Sequence, residues 1–150
     1  MVKYDIYISA PLFNEMEIAF NEKMDGFVRS LGFTTYLPQR DGGEDELLLK
    51  KPELWPETSR RVFQRDVDSL KNSSILLMIV DGRVPDEGAC VELGMAYAFN
   101  KICIGFQTDT RKFSGNQNNL MLDYSMTYEI IHDWNTLRNV LEKIKNDLKK

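Results

Sequence analysis

Hydrophobic positions along the chain follow two rhythms in turn. Short β-branched and aromatic runs predict strands: KYDIYISA (3–10), FTTYL (33–37), SSILLMIV (73–80), KICIGF (101–106) and TYEII (127–131). Between them, apolar residues recur at helical spacing. Residues 14–31 carry Met16, Phe20, Met24, Phe27, Val28 and Leu31, with Asn14 as the predicted N-cap and Gly32 as the predicted residue just past the end. Helices are also predicted over 58–71, 86–99 and 134–148, the last amphipathic through Trp134, Leu137, Leu141, Ile144 and Leu148. Residues 38–57 read as a long polar connection with a short turn at 47–49, and connections of that length are often functional lids.

The order strand, helix, strand, helix, strand, helix, strand, loop, strand, helix predicts an α/β fold occupying 1–150 as a single domain. A doubly wound, flavodoxin-like parallel sheet of about five strands, with helices on both faces, is the expected architecture. Ligands of such sheets bind beyond the carboxyl ends of the strands, here residues 9–13, 38–46, 80–88 and 106–119.

Composition narrows the function. The 150 residues carry a net charge of −4 without a basic block, so no nucleic-acid polymer is expected as a partner. No apolar run approaches the roughly 20 residues that span a bilayer. The start, MVKYDIYISAPLF, lacks a long apolar region and a small-residue cleavage site, so a cytoplasmic protein without membrane association is expected. Cys90 and Cys103 lie in apolar runs and read as reduced core thiols. A single histidine, His132, past the last predicted strand, leaves catalysis to carboxylates, tyrosine, amides or backbone, with no metal and no cofactor expected.

Two carboxylates stand out against the hydrophobic pattern. In 58–71, Val62, Phe63, Val67 and Leu70 form one stripe, at about 0°, 100°, 140° and 80° around the helix; Asp66 falls near 40°, inside it, and Asp68 near 240°, outside it. Asp66 could pair with Arg65, Arg61 or a nearby backbone group, or serve a site. The stretch DEGACVELGMAYAF (86–99) is apolar almost all the way round, yet holds Glu92 between Val91 and Leu93. A carboxylate there must be partnered, or its pKa must rise, and such a group beside a cleft is a functional candidate. Asp86 and Glu87 suit the helix start as caps, and Gly88 suits either close packing or a ligand's approach. Asp66, Asp86 and Glu92 can converge at one sheet edge. One carboxylate as nucleophile and another as proton donor is the arrangement used at anomeric carbons. In the first strand, alternation puts Asp5, Tyr7 and Ser9 on one face, where Tyr7 is either a core aromatic or a partner for the site.

YISAPLF, DGRVPDEGACVELGMAYA and NLM, in this order, resemble the nucleoside 2-deoxyribosyltransferase family. The D-x-G-x-x-x-E-L-G-x-A pattern around Glu92 is the most specific part. The resemblance implies a flavodoxin-like fold and exchange of the base of a 2′-deoxynucleoside through a covalent deoxyribosyl-glutamate, in nucleoside salvage. It implies Glu92 as nucleophile and Tyr7 as its holder. Asp86 and Asp66 would contact base or sugar and move the proton. Phe13 would flank the base, Gln39 would contact it, and Gly88 would line the substrate site. Asn119 and Met121 would reach into a neighbouring subunit's site. The implied partners are a 2′-deoxynucleoside, a free nucleobase and further copies of the chain, as an oligomer built from dimers, up to a hexamer.

Two alternatives stand beside this one. A related branch cleaves 2′-deoxynucleoside 5′-monophosphates with water as acceptor, and Ser9, Ser114 and Arg83 could serve the phosphate. A non-enzymatic nucleotide-binding module is the other; a receiver-like one would need acids where the chain reads SAPLF. Phe13 and Met121 could simply pack, and SGNQNNLM could be an exposed loop ending in an asparagine cap.

Overall fold

A computed structural model of the chain describes residues 3–42, 51, 55–111, 115 and 117–148. The turn expected at 47–49 and Ser114 lie outside the described residues. The elements are β1 (Tyr4–Ser9), α1 (Glu15–Ser30), β2 (Thr35–Tyr36), α2 (Pro38–Asp41), α3 (Trp55–Lys71), β3 (Ser73–Ile79), α4 (Glu87–Ala98), β4 (Ile102–Phe106), α5 (Leu120–Asp123) and α6 (Trp134–Asp147).

The four strands are parallel and ordered β2-β1-β3-β4. Strand alternation sorts the core into two layers. Ile6, Ile8, Ile75 and Leu77 meet Met24 and Val28 of α1 and Leu137, Leu141 and Ile144 of α6 on one face. Tyr7, Tyr36, Leu76 and Met78 meet Leu70 of α3 and Ala89, Leu93 and Ala96 of α4 on the other. β3 is covered on both sides, which is why it reads as a continuous apolar run. The order reverses direction between β1 and β3, and this switch point is where open α/β sheets take ligands.

Local chemistry sets the helix ends. Asn14 caps α1 by accepting from the backbone N–H groups of Met16 and Glu17, each at 3.0 Å. Gly32, at φ +82°, turns the chain out of α1, and its N–H donates to Arg29 O. Both described ends of the connection expected at 38–57 are helical. Proline opens α2, where its missing N–H costs nothing. Arg40 of α2 reaches back to Asp25 of α1 at 2.7 Å and to the Thr35 carbonyl at 2.8 Å. α3 begins at Trp55, three residues before the expected start, with Pro56 in its first turn.

Among the described residues the sheet has four strands where about five were expected. TYEII does not become a strand: its one bridge to the sheet is Ile131 beside Phe106. The segment still follows β4. Ile131 N–H donates to Gly105 O, and Thr127 N–H donates to Cys103 O, both at 2.8 Å. But Cys103 N–H donates to the Thr127 hydroxyl at 2.9 Å rather than to a carbonyl, so a side chain interrupts the ladder. Beside these points the side chains of Met126 and Ile130 lie against β4 where Gly105 has none. A Cβ there would stand 3.0 Å from Met126 Cε and 3.1 Å from Ile130 Cγ1. Gly105→Val is therefore expected to overpack this seam and cost about 1–3 kcal/mol in urea unfolding. An unchanged midpoint would show that the seam yields freely.

Candidate functional site

α4 is apolar nearly all round because it serves three faces. Ala89, Leu93 and Ala96 face the sheet. Gly88, Val91, Glu92 and Met95, at helical spacing, face α3. Cys90, Leu93 and Gly94 face the 82–85 loop and α5. Asp86 is the N-cap, accepting from Ala89 N–H at 2.8 Å.

Glu92 therefore stands on the edge of α4 that turns from the sheet toward α3, within reach of β1. Its carboxylate is held at both oxygens. Tyr7 Oη donates to Oε1 at 2.6 Å and Ser9 Oγ donates to Oε2 at 2.5 Å. Tyr7 and Ser9 are two residues apart on β1, so alternation turns both side chains to the same face. A second tyrosine–carboxylate pair lies alongside. Parallel register sets Tyr36 beside Tyr7, their rings stack with centroids 5.1 Å apart, and Tyr36 Oη donates to Asp66 Oδ1 at 2.7 Å. Glu92 and Asp66 line one cavity of about 230 Å³ with Phe63, Val67, Leu70, Gly88, Val91 and Met95.

Burial dominates the electrostatics. It pushes the Glu92 carboxyl up to about 7, against the hydrogen bonds from Ser9 and Tyr7; the charges of Asp66 and Asp86 push the same way as burial. Burial also raises Asp66, against the Tyr36 hydroxyl and the Arg65 charge. Both phenols, Tyr7 and Tyr36, are raised by burial and by the carboxylates they serve, so they stay protonated as donors. One acid of the pair can hold a proton near neutrality while the other is ionised, as an acid–nucleophile pair requires.

The remaining predicted site residues are more dispersed. Phe13 follows β1 but is 77% exposed, with its N–H on Glu17 Oε2 at 2.8 Å. Gln39 is tied up by Asn21 Nδ2 at 2.9 Å and by the Ile18 carbonyl at 3.0 Å. Asn119 caps α5 by accepting from Met121 N–H at 2.9 Å. Asn119 and Met121 line a different cavity, of about 460 Å³, together with Arg83, Cys90 and Leu93. Within one chain they do not meet Glu92. Ser9 is engaged by Glu92 and fully buried, so its hydroxyl is not offered to a phosphate. Arg83 is exposed, in the cavity away from Glu92. Cys90 and Cys103 are free thiols. Among the described residues, no group of three or more His, Cys, Asp or Glu could hold a metal ion, and no helix is long and apolar enough to cross a membrane.

Two residues of this constellation were not singled out by the sequence for the parts they play. Ser9 shares Tyr7's face by simple alternation, a signal that was available. Tyr36 becomes visible only with the β1–β2 register.

The raised carboxyl ties stability to pH. Glu92 binds its proton more tightly folded, near 7, than an ordinary glutamate does unfolded. Its contribution is therefore fully present below about pH 4.5 and is lost as pH rises through 7. Glu92→Gln should gain on the parent as pH rises from 5 to 8, by up to about 3 kcal/mol in urea unfolding. A stability difference that stays constant over that range would contradict the assignment.

The chain is similar in structure to a 2-deoxyribosyltransferase from the psychrotolerant bacterium Bacillus psychrosaccharolyticus, with 28% identity, a TM-score of 0.71 and 90% of each chain covered. A 2-deoxyribosyltransferase from Leishmania mexicana shares the fold at 18% identity and a TM-score of 0.66, covering 92% of this chain and 97% of that one. So does a CMP N-glycosidase from Clostridium botulinum, at 17% identity and a TM-score of 0.51, covering 94% and 98%. No match was found among curated protein sequences. The family model described as nucleoside 2-deoxyribosyltransferase matches residues 6–125, which span β1 through α5 and include Tyr7, Asp66, Asp86 and Glu92. The chain belongs to the nucleoside 2-deoxyribosyltransferase family.

Proposed function

We propose that the protein exchanges the base of 2′-deoxynucleosides, in nucleoside salvage, through a deoxyribosyl ester on Glu92. The observation that carries this reading is the Glu92 carboxylate, anchored at both oxygens and facing a cavity it shares with Asp66. Family membership and the likeness to the Bacillus psychrosaccharolyticus enzyme support it.

The chemistry follows from the two acids. An oxygen of ionised Glu92 attacks C1′ of the sugar, and the C1′–N bond breaks. The base leaves with the bonding electrons and takes a proton from Asp66, the second acid lining the cavity. Charge builds on an oxocarbenium-like sugar in the transition state, beside the carboxylate. A second base then attacks C1′, its proton passes to Asp66, and Glu92 leaves as carboxylate. Tyr7 and Tyr36 keep the two acids in place without giving up their own protons. Asp86 fixes the start of α4 and adds negative potential near Glu92. Phe13, after β1, is proposed to meet the base; Gln39, after β2, would do so only by releasing Asn21 and the Ile18 carbonyl.

Asn119 and Met121 act in this proposal on another copy of the chain. Both face away from Glu92, and Met121 is 71% exposed beside exposed Leu120 and Tyr124, a patch that a second copy would cover.

The first test is chromatography of 2′-deoxyinosine incubated with the protein, with and without adenine. Deoxyadenosine that forms only with adenine is expected. Free deoxyribose with or without adenine would make water the acceptor and overturn the transfer reading. Glu92→Ala should fold and lose about three or more orders of magnitude in kcat; an active, folded Glu92→Ala would remove Glu92 from the chemistry.

A further inference from the structure

Ser9 has no part in the chemistry just described, yet it makes one of the shortest contacts in the site. Its side chain is fully buried at the carboxyl end of β1, its hydroxyl is 2.5 Å from Glu92 Oε2, and it donates there. Serine at this depth is seldom left without a partner, and here the partner is a charged acceptor, which gives a stronger bond than a neutral one. We propose that Ser9 is a positioning residue of the nucleophile: it holds one carboxylate oxygen of Glu92 while Tyr7 holds the other, fixing both the plane and the ionised form of the group that attacks the sugar. This rests on the reading of Glu92 given above.

A carboxylate attacks with one oxygen and keeps the other as the ester carbonyl. With a single donor, the group could rotate about its Cγ–Cδ bond and offer either oxygen at varied angles. Two donors on a rigid strand, one at each oxygen, stop that rotation. Whichever oxygen bonds C1′, the other retains a donor through the ester stage. The anchor matters for charge as well. Burial disfavours the carboxylate, and the negative groups around it do the same: Asp66 from α3 and Asp86 from the start of its own helix. Tyr36 of β2 and Arg65 of α3 act on Asp66 rather than on Glu92 directly. Against these stand the hydroxyls of Tyr7 and Ser9. Without Ser9, more of the protein at neutral pH would carry a protonated Glu92, which cannot attack.

Ser9→Ala removes one oxygen and keeps the Cβ, so the fold is expected to persist. The test has two arms. In the first, the full chain is labelled with carbon-13 at glutamate carboxyls and titrated by NMR, with Glu92→Gln identifying the Glu92 signal. Ser9→Ala should move the Glu92 midpoint about one pH unit higher. In the second, kcat of Ser9→Ala should fall about tenfold at neutral pH, recover toward the parent as pH rises, and leave KM within about twofold. An unmoved midpoint, or a loss of the same factor at every pH, would overturn the proposal and leave Ser9 a packing residue. If the parent turns over no nucleoside, the proposed reaction fails, but the titration still decides whether Ser9 governs Glu92.

Discussion

A glutamate placed on an apolar helix against a sheet has to find its partners there. Glu92 can be buried on α4 because β1 presents two hydroxyls on one face at a spacing of two residues. That demand propagates. α4 must lie close enough for the reach, and Ala89 and Ala96 at its sheet-facing positions let it. β1 must run beside β2 in a register that stacks Tyr36 on Tyr7, because the stacked ring then aims its own hydroxyl at Asp66. The two acids of the cavity are thus held by neighbouring strands of one sheet, and their relative position is as rigid as the sheet itself.

Competing magnitudes explain the poise of the site. Charge-assisted hydrogen bonds from two hydroxyls would take an exposed glutamate well below its ordinary pKa. Here Glu92 rests near 7 instead, so burial together with two nearby acids outweighs both donors. The balance leaves the group ionisable in the physiological range, at some cost to the folded state. A functional site is where local rules of this kind are expected to be broken.

Much of this arrangement was legible in the chain. Asn14, Gly32 and the alternation of apolar runs laid out the helix ends and the parallel sheet, because each depends on a few adjacent residues. Asp66 and Glu92 showed as charges inside apolar faces, and the structure brings both to one cavity. What stayed hidden depends on distant pairing. TYEII has the composition of a strand, and only the Thr127 hydroxyl on Cys103 and the bare Cα of Gly105 reveal why it does not pair as one. Gln39 was expected to meet the base, but Asn21 and the Ile18 carbonyl bind it from α1, eighteen or more residues away. The start of α3 moved because Pro56 looks like a loop residue and yet suits a first helical turn.

The sorting of the core into two faces also decides what light can report. The chain has two tryptophans. Trp134 opens α6 and packs with Phe20, Phe27 and Phe106, on the face of the sheet opposite Glu92. Trp55 starts α3, 57% exposed and eleven residues before Asp66, roughly 16 Å along the helix. Intrinsic fluorescence of this protein is therefore a gauge of the α1–α6 layer coming apart, blind to a small molecule entering between α3 and α4. The stacked Tyr7 and Tyr36, by contrast, sit directly behind the acids, so their near-ultraviolet circular dichroism is the optical signal that occupancy of the cavity would change.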